Sequence, residues 1–135
     1  MSKYMEKAKE CRTIGEPTYN CAQSVAVPFA EDAGISEELA LKVAANFGGG
    51  MRMASICGAF SGGLIALGLF GLTDPSYAKD FAKRIKEKHH NTLVCSELLQ
   101  INKEAGREKK PHCDEMVFDC TQAVEDILRE NGKIQ

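Results

Sequence analysis

The sequence predicts an all-α fold, a compact bundle of about five or six helices around a central, apolar, glycine-rich helix. Three observations carry this expectation. Apolar residues recur at spacings of three and four along most of the chain, and no stretch alternates apolar and polar residues between hairpin turns. Residues 54–72 carry no charged side chain at all, as the buried middle of a bundle would. With 135 residues, 44% hydrophobic and 27% charged, the chain is expected to form one globular domain over residues 1–135.

Residues 3–11 alternate charged and apolar positions at helical spacing and predict a short first helix. Gly15, Pro17 and Asn20 then mark a turn. From Asn20, the run Cys21, Val25, Phe29 recurs every four residues on one helical face, with Pro28 expected to kink or shorten the helix and Gly34 to close it. Ser36 before Glu37 and Glu38 starts a third helix, expected to carry Leu39, Val43 and Phe47 inward before Gly48-Gly49-Gly50. Those glycines lack the Gly-Lys-Ser/Thr ending of a phosphate loop and predict a tight turn.

The charge-free stretch 54–72 is long enough to span a membrane. Its five glycines lower its hydropathy, so a buried helix is the expectation and no membrane partner follows. Asp74 before Pro75 starts the next helix, with Tyr77, Phe81 and Ile85 inward and Lys79, Lys83, Lys86 and Lys88 outward. The lysines are interleaved with Asp80 and Glu87, and the net charge is -2, so no nucleic-acid partner is expected. His89 and His90 are expected to be exposed. A break near His90-Asn91-Thr92 precedes an apolar turn at Leu93, Leu98 and Leu99; residues 102–110 read as an exposed loop, with His112 close behind. A last helix is expected over about 114–130, with Met116, Val117, Val124, Ile127 and Leu128 inward.

The N-terminal residues are charged and lack the apolar core of an export signal, which predicts a cytoplasmic chain whose thiols stay reduced. The six cysteines are Cys11, Cys21, Cys57, Cys95, Cys113 and Cys120. None stands in a Cys-x-x-Cys pair, so zinc-ribbon and thioredoxin spacings and covalently attached haem are not expected. Cys21 and Cys57 fall near predicted helix N-termini, where peptide dipoles favour a thiolate, and Arg52 adds to this if the glycine loop folds back. The small residues of Cys57-Gly58-Ala59-Phe60-Ser61-Gly62-Gly63 leave room for a bulky neighbour at the thiol or simply for close helix packing. Met51 and Met53 read as core or interface fillers.

Taken together, Asn20-Cys21-Ala22-Gln23-Ser24-Val25, Phe47-Gly48-Gly49-Gly50, Cys57-Gly58-Ala59 with Gly62, Leu67-Gly68, Cys95 with Leu98 and Leu99, and Cys113 with Val117 resemble the redox-active family named for its cysteine pattern, C_GCAxxG_C_C. The resemblance covers residues 20–128. It departs from the label in having Ile56 rather than Gly before Cys57, and Cys11 and Cys120 are additional. The resemblance implies a redox protein with Cys21, Cys57, Cys95 and Cys113 as its characteristic thiols; a similar domain in split-Soret cytochromes carries candidate iron–sulfur ligands.

Three readings follow from this. Cys21, Cys57, Cys95 and Cys113 bind an iron–sulfur cluster or another thiolate-bound metal for electron transfer, iron–sulfur being preferred because zinc carries no electrons. Alternatively, Cys57 acts as a metal-free nucleophile with Cys21 as its resolving partner. The third reading is a non-catalytic helical interaction module with incidental core cysteines. A redox partner is implied but not identified, and a homodimer through the glycine-rich or last helix is compatible with the pattern.

Overall fold

The computed structural model describes residues 2–13 and 19–135. Among the described residues seven α-helices follow one another: α1 Lys3–Thr13, α2 Cys21–Ala30, α3 Glu37–Ala44, α4 Gly58–Leu69, α5 Pro75–Lys88, α6 Cys95–Glu104 and α7 Lys109–Glu130. The all-α bundle is as expected, with one more full helix than the upper count. The turn expected at Gly15 and Pro17 lies outside the described residues.

Local chemistry sets most helix ends. Asn20 caps α2 reciprocally: its side chain accepts from the Gln23 amide at 2.9 Å, and the Gln23 side chain accepts from the Asn20 amide at 3.0 Å. Pro28 does not end α2 at once; it lies in the last turn. Gly34, at φ +85°, closes the turn that follows, its amide on Glu31 O and the Ile35 amide on Ala30 O, both at 3.0 Å. Ser36 accepts from the Leu39 amide and starts α3, and Asp74 accepts from the Ser76 amide with Pro75 in the first turn of α5.

α4 is the buried centre, packed mainly on α2 and α7 and also on α5, while α1 closes over α2 and α7. Its face carries Ala59, Phe60, Ala66 and Leu67, and Phe60 stacks on Phe81 of α5 at 4.7 Å. Tyr4 stacks on Phe29 at the same distance and fastens α1. The inward residues expected on α5 and α7 are buried, with Tyr77 partly so. No described helix is long and apolar enough to cross a membrane.

The structure corrects several sequence-based expectations. Leu39 and Val43 stay 47% and 46% exposed, and α3 instead buries Ala40 and Ala44. Ala44 meets Ala22 and Ala26, and Ala40 meets Val27 and Ala30, so small side chains let α3 approach α2 closely. Periodicity offered two apolar stripes, and the neighbour's shape selected the smaller one. α4 starts at Gly58 and not near Ala54, because residues 55–57 leave the helical conformation. They form a single antiparallel bridge, Ile56 to Val94, with Cys57 N on Leu93 O at 2.7 Å and Cys95 N on Ser55 O at 2.5 Å. The expected loop at 102–110 is shorter: Asn102 is buried in α6, and its amide nitrogen ties down the carbonyls of Arg107 and Glu108. α7 starts at Lys109, five residues early, since Pro111 in its first turn lacks an N–H that would be unpaired there anyway. As a result His112 is a buried helical residue and not a loop histidine. His89, at the C-terminal end of α5, is only 4% exposed where exposure was expected.

Candidate functional site

Cys21, Cys57, Cys95 and Cys113 line one cavity of about 330 Å³, at the small end of ligand-binding pockets. Each arrives by a different route. Cys21 is the first residue of α2, immediately after the Asn20 cap. Cys57 caps α4, and Cys95 is the first residue of α6. The bridge between residues 55–57 and 93–95 holds these last two helix starts side by side. Cys113 lies in the second turn of α7. The N-termini of α2, α4 and α6 thus open onto one space, and free amides and aligned dipoles there favour negative charge.

Glycine makes the thiols fit. A methyl group on Gly58 would land on the Cys21 sulfur and come within 2.7 Å of Phe47 O, so the residue after Cys57 is vacant ground for Cys21. Gly49 and Gly50 adopt φ +65° and +66°, and a methyl on Gly50 would lie 2.9 Å from Cys95 Cβ. Met51, Arg52 and, beyond Met53 at φ −138°, Ala54 are also left-handed, a costly conformation for non-glycine residues directly beside the site. Gly62 has the other expected role, close helix packing, against the backbone of Ala22.

Arg12, Lys109 and His112 also line the cavity, with Leu98, Leu99 and Met116 as its apolar wall. Arg12 is fixed by Asp114 at 2.7 Å and by Tyr19 O at 3.0 Å. Burial raises the Asp114 carboxyl, but hydrogen bonds from Lys110 and Arg12 outweigh it and hold the group below its ordinary value. Burial lowers His112, and the neighbouring His89 and Arg107 add to this. Sequence reasoning missed Arg12 and Lys109, which carry no local mark of a site; only packing of α1 and α7 brings them here.

The expected thiolate at Cys57 is corrected. Burial pushes this thiol up to about 12, overriding the amides of Phe60 and Ala59, with negative charge on Cys21 and Cys95 raising it further. Cys95 and Cys113 are also raised, first by burial and then by Cys21, with Lys109 opposing. Arg52 does not turn toward Cys57; it binds Asn46 Oδ1 and Ala45 O. Met51 is half-buried and Met53 is 75% exposed, so Met53 is no core filler.

All six cysteines are free thiols. Cys11 and Cys120 are fully buried among hydrocarbon and do not line the cavity. No three cysteine sulfurs come within 4.8 Å of one another. A single tetrahedral zinc ion with bonds of about 2.3 Å needs sulfurs roughly 3.8 Å apart. The four thiols therefore border one cavity without the close packing of a single-ion zinc site.

A pH dependence follows from these shifts. In the metal-free protein the folded state holds the Cys57 proton up to about pH 12, whereas an unfolded cysteine ionises near 9.0. The stability this group contributes is complete below pH 9 and is lost as pH rises toward 12. Cys11, pushed up to about 11 by burial, adds in the same direction, as do Cys95 and Cys113. Urea unfolding midpoints of metal-free protein are expected to be level from pH 7 to 9 and to fall steadily from pH 9 to 11.

Among known proteins, the family described as "Putative redox-active protein (C_GCAxxG_C_C)" matches this chain over residues 19–127. Neither the curated proteins nor the solved structures yield a match.

Proposed function

The chain belongs to the C_GCAxxG_C_C family, and on that premise we propose that it is an electron-transfer protein whose Cys21, Cys57, Cys95 and Cys113 hold an iron–sulfur cluster. One observation carries this reading: four helices each deliver one cysteine to a single cavity. The residues fit such a group in number and in chemistry. Four thiolates complete an iron–sulfur site.

When bound, such a centre supplies one-electron chemistry. The chain itself has three tasks. Desolvation, with the neighbouring Cys21 charge, disfavours ionisation of Cys57, Cys95 and Cys113, so their deprotonation depends on positive charge arriving with the bound group. The helix N-termini with Arg12 and Lys109 then stabilise the net negative charge of a thiolate-ligated centre. Leu98, Leu99 and Met116 exclude water from one side, which with the nearby cations tunes the potential. We place the chain in the cytoplasm as a single domain, with a redox partner that docks over the cavity mouth.

The metal-free reading, with Cys57 and Cys21 as the reactive pair, is favoured by the Cys21 sulfur lying against Gly58, next to Cys57. It is weakened by the raised Cys57 thiol, which leaves little nucleophilic thiolate near neutral pH. Anaerobic purification followed by iron and acid-labile sulfide analysis and a visible spectrum separates the two. Iron, sulfide and a broad charge-transfer absorption are expected. A colourless protein that forms one reversible disulfide under oxidant would promote the metal-free pair, and stoichiometric zinc without iron would end the electron-transfer reading.

A further inference from the structure

We propose that His89, Glu115 and Asp119 form a second, cysteine-free site for a divalent transition-metal cation. Their ligating atoms all lie within 4.8 Å of one another, the only such trio of histidine, cysteine and acidic residues among the described residues. His89 caps the end of α5, while Glu115 and Asp119 stand one turn apart on α7, so the site staples two helices. His89 Nε2 lies 2.7 Å from Asp119 Oδ2, a few tenths short of the roughly 3 Å edge between two ligands sharing an ion at bonds of about 2.1 Å.

The imidazole of the site is held from within. His89 is 4% exposed, and the chain turns away directly after it through His90 and Asn91 at φ +56° and +59°. Its ring faces His112 edge-on at 6.5 Å, so the buried imidazole is hemmed in and aimed at the carboxylates. Two carboxylates converging on one imidazole exceed what a hydrogen bond to Asp119 requires. Arg107, at 2.9 Å from Glu115 Oε2, offsets only part of their charge, and a divalent cation would offset the remainder. One imidazole nitrogen with carboxylate oxygens suits manganese, iron(II), cobalt or zinc, and three protein ligands leave a position for water. The site shares only the His112 wall with the thiol cavity and none of its four cysteines.

Manganese(II) is the probe of choice, because this harder cation takes oxygen and imidazole ligands and disfavours thiolates. The reduced full-length protein is titrated with manganese(II), and the free six-line signal is followed by electron paramagnetic resonance. One equivalent per chain is expected, with the dissociation constant raised at least tenfold by His89→Gln, Asp119→Asn and Glu115→Gln and unchanged by Cys95→Ser. Glu115 is exposed, so its variant reports binding without a folding defect. No uptake by the parent protein at millimolar manganese(II), uptake indifferent to the three substitutions, or uptake lost in Cys95→Ser would each overturn the assignment. The last arm also separates this site from the iron–sulfur reading, which stands or falls on the cysteines.

Discussion

Alanine at Gly62 is expected to lower the stability of this protein by about 3 kcal/mol, near the upper end of overpacking costs. The added methyl would sit on the carbonyl oxygen of Ala22 and within 3.0 Å of its carbonyl carbon and Cα. Those atoms are α2 backbone, so no side-chain rotation relieves the clash and the two central helices must separate. The same methyl on Gly63 meets mainly the ring of Phe81, a side chain that has some freedom to shift. Gly68 supplies the opposite sign: it is exposed in α4 with nothing within 4 Å of an added methyl, so Gly68→Ala is expected to stabilise by roughly 0.5–1 kcal/mol through helix propensity. Urea denaturation of the two variants decides the matter. Equal effects would mean that α4 does not pack on α2 as closely as its glycines imply.

Alanine at any one of Cys21, Cys57, Cys95 or Cys113 is expected to reduce iron in anaerobically prepared protein at least tenfold. Alanine at Cys11 or Cys120 is expected to leave it near the parent level. The contrast rests on position alone. The first four line the shared cavity, while Cys11 packs with Val27, Ala30 and Ala40, and Cys120 lies in the main core. Gly58→Ala belongs with the first group although it removes no ligand, because its methyl takes the place of the Cys21 sulfur. Iron and sulfide analysis beside a visible spectrum checks each variant. Iron retained in all four cavity variants would remove the cysteines from the site.

Much of the fold was legible because helix ends are local. Asn20, Ser36 and Asp74 each cap a helix with an oxygen that reaches an amide two or three residues away, and Gly34 closes a turn through its own left-handed backbone. The periodic faces of α5 and α7 were legible for the same reason. The face of α3 was not, since Leu39 and Val43 form as good a stripe as Ala40 and Ala44 until α2 is present. Nor was the bridge between residues 55–57 and 93–95, whose two halves are too short to carry a strand pattern.

The candidate site divides along the same line. The sequence by itself determined that cysteines would stand at helix starts, that glycine would follow Cys57, and that the chain would be helical, because these depend on residues within a turn of one another. Only the tertiary structure decided that Cys57 is buried and therefore protonated, that Arg12 and Lys109 border the thiols, and that His89 meets Asp119. Desolvation and charge pairing are set by groups that are distant along the chain and adjacent in space, and no local window of residues contains both partners.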